Sequence, residues 1–281
     1  MKCFLFVCVT LFVSAPSLAA CPTDHEVQQF LNAYAKRQPS NVFERDISSE
    51  DARCAREKLA AKLPLYLGQH IGYTLGALSA ASADTTAGPV LHWGHMFDRN
   101  MVDIIAVLPA QFGAQPRVKM GLLFELKDAH LADAGSPIEA LKHIESVVPF
   151  IELADAMVAG DVSANERLAM NMGFRGGVLG AEIPLQADQS TADGLGQMRL
   201  QLQDLKTGRL LTSVDADLNG HPLSVAIQFA QSLQKEGVLL KKGDLLNLGY
   251  YLEGFAAESG QHIELKYVGL AGEPTVTVEF N

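Results

Sequence analysis

Residues 220–244, GHPLSVAIQFAQSLQKEGVLLKKGD, are the stretch whose reading decides the fold. Leu223, Ala226, Ile227, Ala230 and Leu233 recur at helical spacing and share one face. Pro222 suits the first helical position and Gly237 the end, so the pattern predicts a helix over residues 222–236. His221, just before it, reads as a capping and packing residue, and Asp244 as a turn residue. Three apolar runs, LLNLG, HIELKYVG and TVTVEF, follow as strands.

Upstream of the helix, the runs IGYTLGAL, PVLHWGHMF, MVDIIAVL and VKMGLLFEL are punctuated by Gly, Pro and Asp and read as further strands. Residues 137–144 predict a short helix, SVVPFIELAD a strand interrupted by Pro149, and residues 163–172 another short helix with Ser163 at its N-cap. Residues 176–185, 197–205 and 209–214 return to the strand pattern, whereas DQSTAD at 188–193 reads as a solvated loop. Near the amino terminus, residues 26–35 and 49–63 have helical spacing, the second with acids in its first turn. The sum is an α+β pattern with an N-terminal helical arm.

At 48% hydrophobic and 19% charged residues, a chain of 281 residues buries a sizeable core, and one large domain with a small appendage is expected. The formal net charge of -10 argues against nucleic acid as a partner, since phosphate binding needs clustered Lys and Arg. Residues 1–20, MKCFLFVCVTLFVSAPSLAA, have one lysine, an apolar run and small residues before Cys21, the arrangement of a secretory signal peptide too short to be a comfortable membrane span. An exported, periplasmic protein is therefore expected. Residues 21–68 then form the arm and residues 69–281 the main domain.

Two of the four cysteines, Cys21 and Cys54, survive removal of the signal. In an oxidising compartment they can pair, closing a loop of about 34 residues and contributing roughly 3 to 4 kcal/mol on chain-entropy grounds. Alternatively, Leu18-Ala19-Ala20-Cys21 resembles a lipobox, in which Cys21 is lipidated, the protein is membrane-anchored and no disulfide forms. Both readings stand at the level of sequence.

The run at 220–244 closely resembles the carboxyl-terminal signature of 2-keto-4-pentenoate hydratases and 4-oxalocrotonate decarboxylases, a branch of the fumarylacetoacetate hydrolase superfamily. The likeness extends through NMGFRGGVLG (171–180), PFIELAD (149–155), PRVKMGLLFELKD (116–128) and IGYTLG (71–76), in the family's order. It implies a mixed β-roll core with outer helices, a multimeric assembly, and a hydratase-like domain in which Mg²⁺ or Mn²⁺ chelated by a 2-oxo acid stabilises an enolate.

The resemblance also locates the departures. The family's third acidic ligand is matched by Glu152, but its E-x-E pair falls on Lys119 and Gly121. Glu125 lies on the same strand face, roughly 13 Å beyond position 121 at strand rise, and does not substitute. The family's G-Y-K lysine is Thr74 here, the serines of its N-A-S-S-G run fall on Gly173 and Phe174, and the threonine after its G-D motif falls on Leu248. Trp93 and Gly94 match its P-x-F-G segment, with Tyr250 and Tyr251 near the expected rim. No metal is expected, since one carboxylate is a poor cage for a hard divalent cation.

The expected centre is thus Lys119 and Glu152, in a pocket of Thr74, Trp93, Gly121, Phe174, Leu248 and Tyr250, taking a small carboxylate or another apolar ligand. Lys119 either binds a ligand's carboxylate or enolate, or pairs with Glu152 to fill a vacated space. Two functions follow: a lyase of hydratase or decarboxylase type acting on a 2-oxo or enol acid, and a non-catalytic binding or assembly protein. His92 and His95, three apart, lack a third metal ligand at convincing spacing. There is no G-x-S-x-G, P-loop or G-x-G-x-x-G, so serine-hydrolase and nucleotide-binding readings have no support.

Overall fold

The computed structural model describes residues 21–43, 46–76, 91–103, 106–158, 160–218, 220–249 and 251–281. Residues 1–20, the expected signal, together with Tyr250 and part of the run PVLHWGHMF, lie outside the described residues. The arm comprises α1 (Asp24–Ala35), α2 (Ser49–Lys62) and the single turn α3 (Pro64–Leu67). Strands β1 (His70–Leu75), β2 (Trp93–Phe97), β3 (Met101–Asp103), β4 (Ala106–Leu108) and β5 (Pro116–Leu126) follow. Next come α4 (Pro137–Ala140), β6 (Ile144–Asp155), α5 (Ala164–Ala169), β7 (Phe174–Leu179), β8 (Ile183–Pro184), α6 (Gln189–Gln197), β9 (Arg199–Asp204) and β10 (Arg209–Asp215). The chain closes with α7 (Pro222–Lys235), β11 (Leu245–Asn247), β12 (Tyr251–Phe255), β13 (His262–Val268) and β14 (Thr275–Phe280).

Among the described residues nine strands form one mixed sheet, ordered β2-β1-β11-β5-β6-β7-β3, with β12 also on β5 and β8 on β6. Five form a second sheet, β10-β9-β13-β14-β4. In the larger sheet, alternation divides the side chains between two cores. Leu122, Phe124, Val147 and Ile151 face α7 and the second sheet, whereas Leu123, Val148 and Phe150 face the arm and α5. Both faces of β6 are covered, which is why its sequence is continuously apolar rather than alternating.

The helix that opened the sequence forms over Pro222–Lys235, its apolar stripe buried. His221 caps it as expected: its Nδ1 accepts from the Leu223 amide at 3.2 Å, so the proton sits on Nε2, which donates to the Ala192 carbonyl at 3.0 Å. Asp244 holds the turn before β11 by accepting from the Lys241 amide.

Three expectations are corrected. DQSTAD is not a loop but the start of α6: Asp188 caps it through the Thr191 amide, and Ala192 and Leu195 are buried. Gly196, a poor helix former, is needed there because a Cβ would meet the His221 ring at 2.7 Å. Pro149 does not interrupt β6. Its carbonyl accepts from Gly180, so its missing N–H faces the gap between the end of β7 and the start of β8. MVDIIAVL is two strands, β3 joining the larger sheet and β4 the smaller.

Cys21 and Cys54 form a disulfide with a Cα separation of 5.6 Å. It ties the start of α1 to α2 and occupies the sulfur that a thioether-linked lipid would need. No helix among the described residues is long and apolar enough to cross a membrane.

Candidate functional site

Lys119 and Glu152 stand directly opposite each other in the β5–β6 register. Lys119 Nζ donates to Glu152 Oε1 at 3.2 Å. The other oxygen, Oε2, accepts from Thr74 Oγ1 at 3.0 Å and from Asn247 Nδ2 at 2.5 Å. The second amide hydrogen of Asn247 goes to Thr74 Oγ1 at 3.0 Å, and its Oδ1 accepts from the Gly249 amide. Three donors thus converge on a carboxylate that is only 1% exposed, and every polar atom of the quartet has a partner, as a buried network requires.

The backbone explains why these four meet. Thr74 and Asn247 are partners in the parallel β1–β11 ladder, and all four side chains lie on the arm-facing side of the sheet. β11 runs beside β5 only as far as Leu123, and β12 resumes the pairing at Met120. In the gap between them lies Gly121. A Cβ there would stand 2.7 Å from the Phe150 ring and 2.9 Å from Asn247 Oδ1. The space a side chain at position 121 would fill is therefore occupied by a phenyl ring and a carboxamide. Gly254, at φ 82°, keeps β12 close to Lys119, since a Cβ there would stand 3.0 Å from the Lys119 Cγ.

Beside Gly121 the ladder is held by a third strand's side chain. Tyr267 from β13 inserts its hydroxyl between β5 and β6, donating to the Gly121 carbonyl and accepting from the Phe150 amide at 2.8 Å. Burial pushes this phenol's pKa upward.

The exposed side of Lys119 opens on a cavity of about 430 Å³ between β5, β6, β12 and α5. Arg117 and Arg167 line it too, and their described hydrogen bonds are to the carbonyls of Pro116 and Val162. Among the described residues neither makes an ion pair, although acids outnumber bases by 32 to 22 in the chain. Asp155, at the cavity wall, is committed to Arg175 at 2.6 Å, which leaves Asp161 as the exposed acid of the lining. At the floor, Asn171, Met172 and Gly173 are all left-handed, with φ of 55°, 56° and 70°. Asn171 holds this turn by exchanging two hydrogen bonds with the backbone of His95. Backbone strain of this kind concentrates at ligand sites.

Of the residues singled out by sequence, the fold brings Lys119, Glu152, Thr74 and the bare position Gly121 together. Trp93 packs instead under the Arg56 guanidinium, 3.4 Å from its ring centroid, and against Tyr73. Phe174 and Leu248 turn into the two apolar cores. Asn247, Arg117 and Arg167 were missed. Asn247 was legible as the lone polar residue in LLNLG, one position from Leu248, and a shift of one residue exchanges the faces of a strand. Glu125 accepts from Ser146 and takes no part.

His70, His92 and His95 lie apart from this site, on β1 and around β2. His95 contacts Glu57 at 3.4 Å, and among the described residues no three His, Cys, Asp or Glu side chains are grouped to hold a metal ion. Burial, followed by the neighbouring His95, pushes His70 down to about 4. The folded protein then refuses a proton that the unfolded chain accepts below its ordinary value near 6.5. Stability from this group is complete above that pH and is lost as pH falls toward 4. In urea titrations His70→Asn should show a shallower loss of midpoint between those values than the parent. An identical slope would contradict the assignment.

No protein-family profile matches the chain, and no curated protein does either. Solved structures do. It is similar to 4-oxalocrotonate decarboxylase from Pseudomonas putida G7, seen with calcium and acetate and with magnesium and adipate, at TM-scores of 0.74 and 0.75. Identity is 17%, over 92% of this chain and 96% of that one. A 2-hydroxyhepta-2,4-diene-1,7-dioate isomerase from Mycobacterium marinum aligns at 15% identity and TM-score 0.50, over 75% of this chain and 73% of that one. The chain has the fumarylacetoacetate hydrolase type of fold, an α+β arrangement of mixed sheets.

Proposed function

We propose that this chain is an exported, divergent relative of the hydratases and decarboxylases with this fold, and that its cavity binds a small 2-oxo carboxylate without a divalent metal. The observation that carries the reading is the pairing of Lys119 with Glu152 beside two guanidinium groups that form no ion pair with the described residues. One carboxylate, already holding an ammonium at 3.2 Å and two further donors, does not fit the oxygen-rich shell that Mg²⁺ or Mn²⁺ requires. Asn247 and Phe150 fill the place from which a second carboxylate would reach. An anion entering the cavity meets fixed positive charge instead, and Arg supports bidentate recognition of a carboxylate.

Glu152 is buried with both carboxylate oxygens engaged by three donors, which favours binding over turnover. Lys119 favours the second reading, enolate chemistry, because its side chain is 19% exposed and borders the cavity. Calorimetry with 2-oxoadipate in excess EDTA tests the first reading. Binding should persist in EDTA and weaken at least tenfold in Lys119→Met and in Arg167→Ala. Binding that appears only on adding Mg²⁺ would overturn it. Deuterium entering C3 of bound 2-oxoadipate in D₂O, lost in Lys119→Met, would establish the enolate reading. Export is supported by the signal-like first segment and by the disulfide, which persists in oxidising compartments. Periplasmic protein starting near Cys21, with an intact mass matching two oxidised thiols and no lipid, is the expected product.

A further inference from the structure

A second cavity, of about 390 Å³, lies where the arm meets the main body. It shares no lining residue with the first. Its apolar wall is Val102, Leu108, Phe112 and Leu153. At its rim stand Arg37 and Arg99. Arg37 spends Nη1 on the Gln111 carbonyl at 3.2 Å, and Arg99 spends Nη1 on those of Leu65 and Tyr66 at 3.1 and 2.9 Å. These bonds fix the two side chains, and among the described residues no acid makes an ion pair with either.

Arg175 also lines this cavity but is matched by Asp155. No described Asp or Glu lines it, although the chain carries 32 acidic residues. Two positioned guanidinium groups, without an acidic partner among the described residues, above an apolar wall form a concave site with few, placed polar groups, at a size typical of small-ligand sites. We propose that this cavity is a second ligand site, taking an amphipathic monocarboxylate whose head pairs with Arg37 and Arg99 and whose alkyl chain lies on Val102, Leu108, Phe112 and Leu153.

Calorimetric titration of the signal-free protein, disulfide intact, with octanoate, acetate and octan-1-ol tests it. Octanoate should bind at least tenfold more tightly than either control, because acetate lacks the chain and octanol the charge. The double variant Arg37→Gln, Arg99→Gln should lose at least tenfold of that affinity, and Arg167→Gln, which lines only the first cavity, none. Since Arg99 also holds α3, Arg37→Gln alone, whose described side-chain hydrogen bond is to Gln111, should still weaken octanoate at least threefold. Absence of octanoate binding, equal binding of octanol, or loss in Arg167→Gln with retention in Arg37→Gln would each overturn the proposal. Failure of 2-oxoadipate to bind would leave this site untouched, because it rests on different residues.

Discussion

Asp155→Ala should destabilise the protein by about 5 kcal/mol, enough to bring a domain of ordinary stability close to unfolding. Its carboxylate is fully buried and accepts from the amides of Ala114, Gln115 and Met157 at 2.9, 2.7 and 3.0 Å. It also takes Nε and Nη2 of Arg175 at 2.9 and 2.6 Å. The guanidinium in turn lies 3.6 Å from the Tyr34 ring centroid, on α1. Removing one partner of a buried pair leaves the other charged and unpaired, roughly 3–5 kcal/mol, and stranded amide donors add to that.

The control is the double variant Asp155→Ala, Arg175→Met, which removes both charges. It should recover about 2 kcal/mol relative to Asp155→Ala, leaving the cost of the three amides. Urea denaturation of the four proteins in the cycle measures this. A loss below about 1 kcal/mol in Asp155→Ala would mean that water reaches the pair.

Reduction of Cys21–Cys54 should cost roughly 3 to 4 kcal/mol, from the freedom restored to the unfolded chain when a loop of about 34 residues is opened. The folded arm has other supports, which is why reduction should lower stability without releasing it. Val27, Phe30 and Leu31 of α1 are buried with Ala55 and Leu59 of α2. Thr23 and Glu26 form a reciprocal capping box at the start of α1, two residues from Cys21. Arg56 reaches from α2 to Glu236 at the end of α7 at 2.7 Å. Thermal melts with and without dithiothreitol should separate the parent but superimpose for Cys54→Ser. A dithiothreitol effect that persists in Cys54→Ser would show that another process is being measured.

The elements that were legible in the sequence are those whose burial has one period. The α7 stripe, the alternation of HIELKYV and TVTVEF, and the capped arm helices each follow from a single pattern that packing reinforces. α6 was hidden because Gly194 and Gly196 lower its propensity, and what holds it is a cap and two buried side chains. Pro149 misled because its tolerance depends on a gap between two partner strands, which no local pattern reveals.

At the site, the strand residues Lys119 and Glu152 could be named from sequence because resemblance aligned them. Asn247, Arg117 and Arg167 could not, since their meaning comes from what faces them. A lysine in a strand and a glycine two residues later are each unremarked alone. Only the fold shows that the glycine makes room for Asn247, whose amide then helps to hold Glu152.

The phenol of Tyr267 sets the spacing of β5 and β6 two residues from both Lys119 and Glu152, yet it belongs to the second-to-last strand. A chain emerging from synthesis therefore carries both charged residues long before it carries the residue that spaces their strands. Contacts between segments so distant in sequence form late, after long loops close. The cavity beside Lys119 is accordingly a late product of assembly, and a nascent chain that stops short of β13 has the residues of the site without its shape.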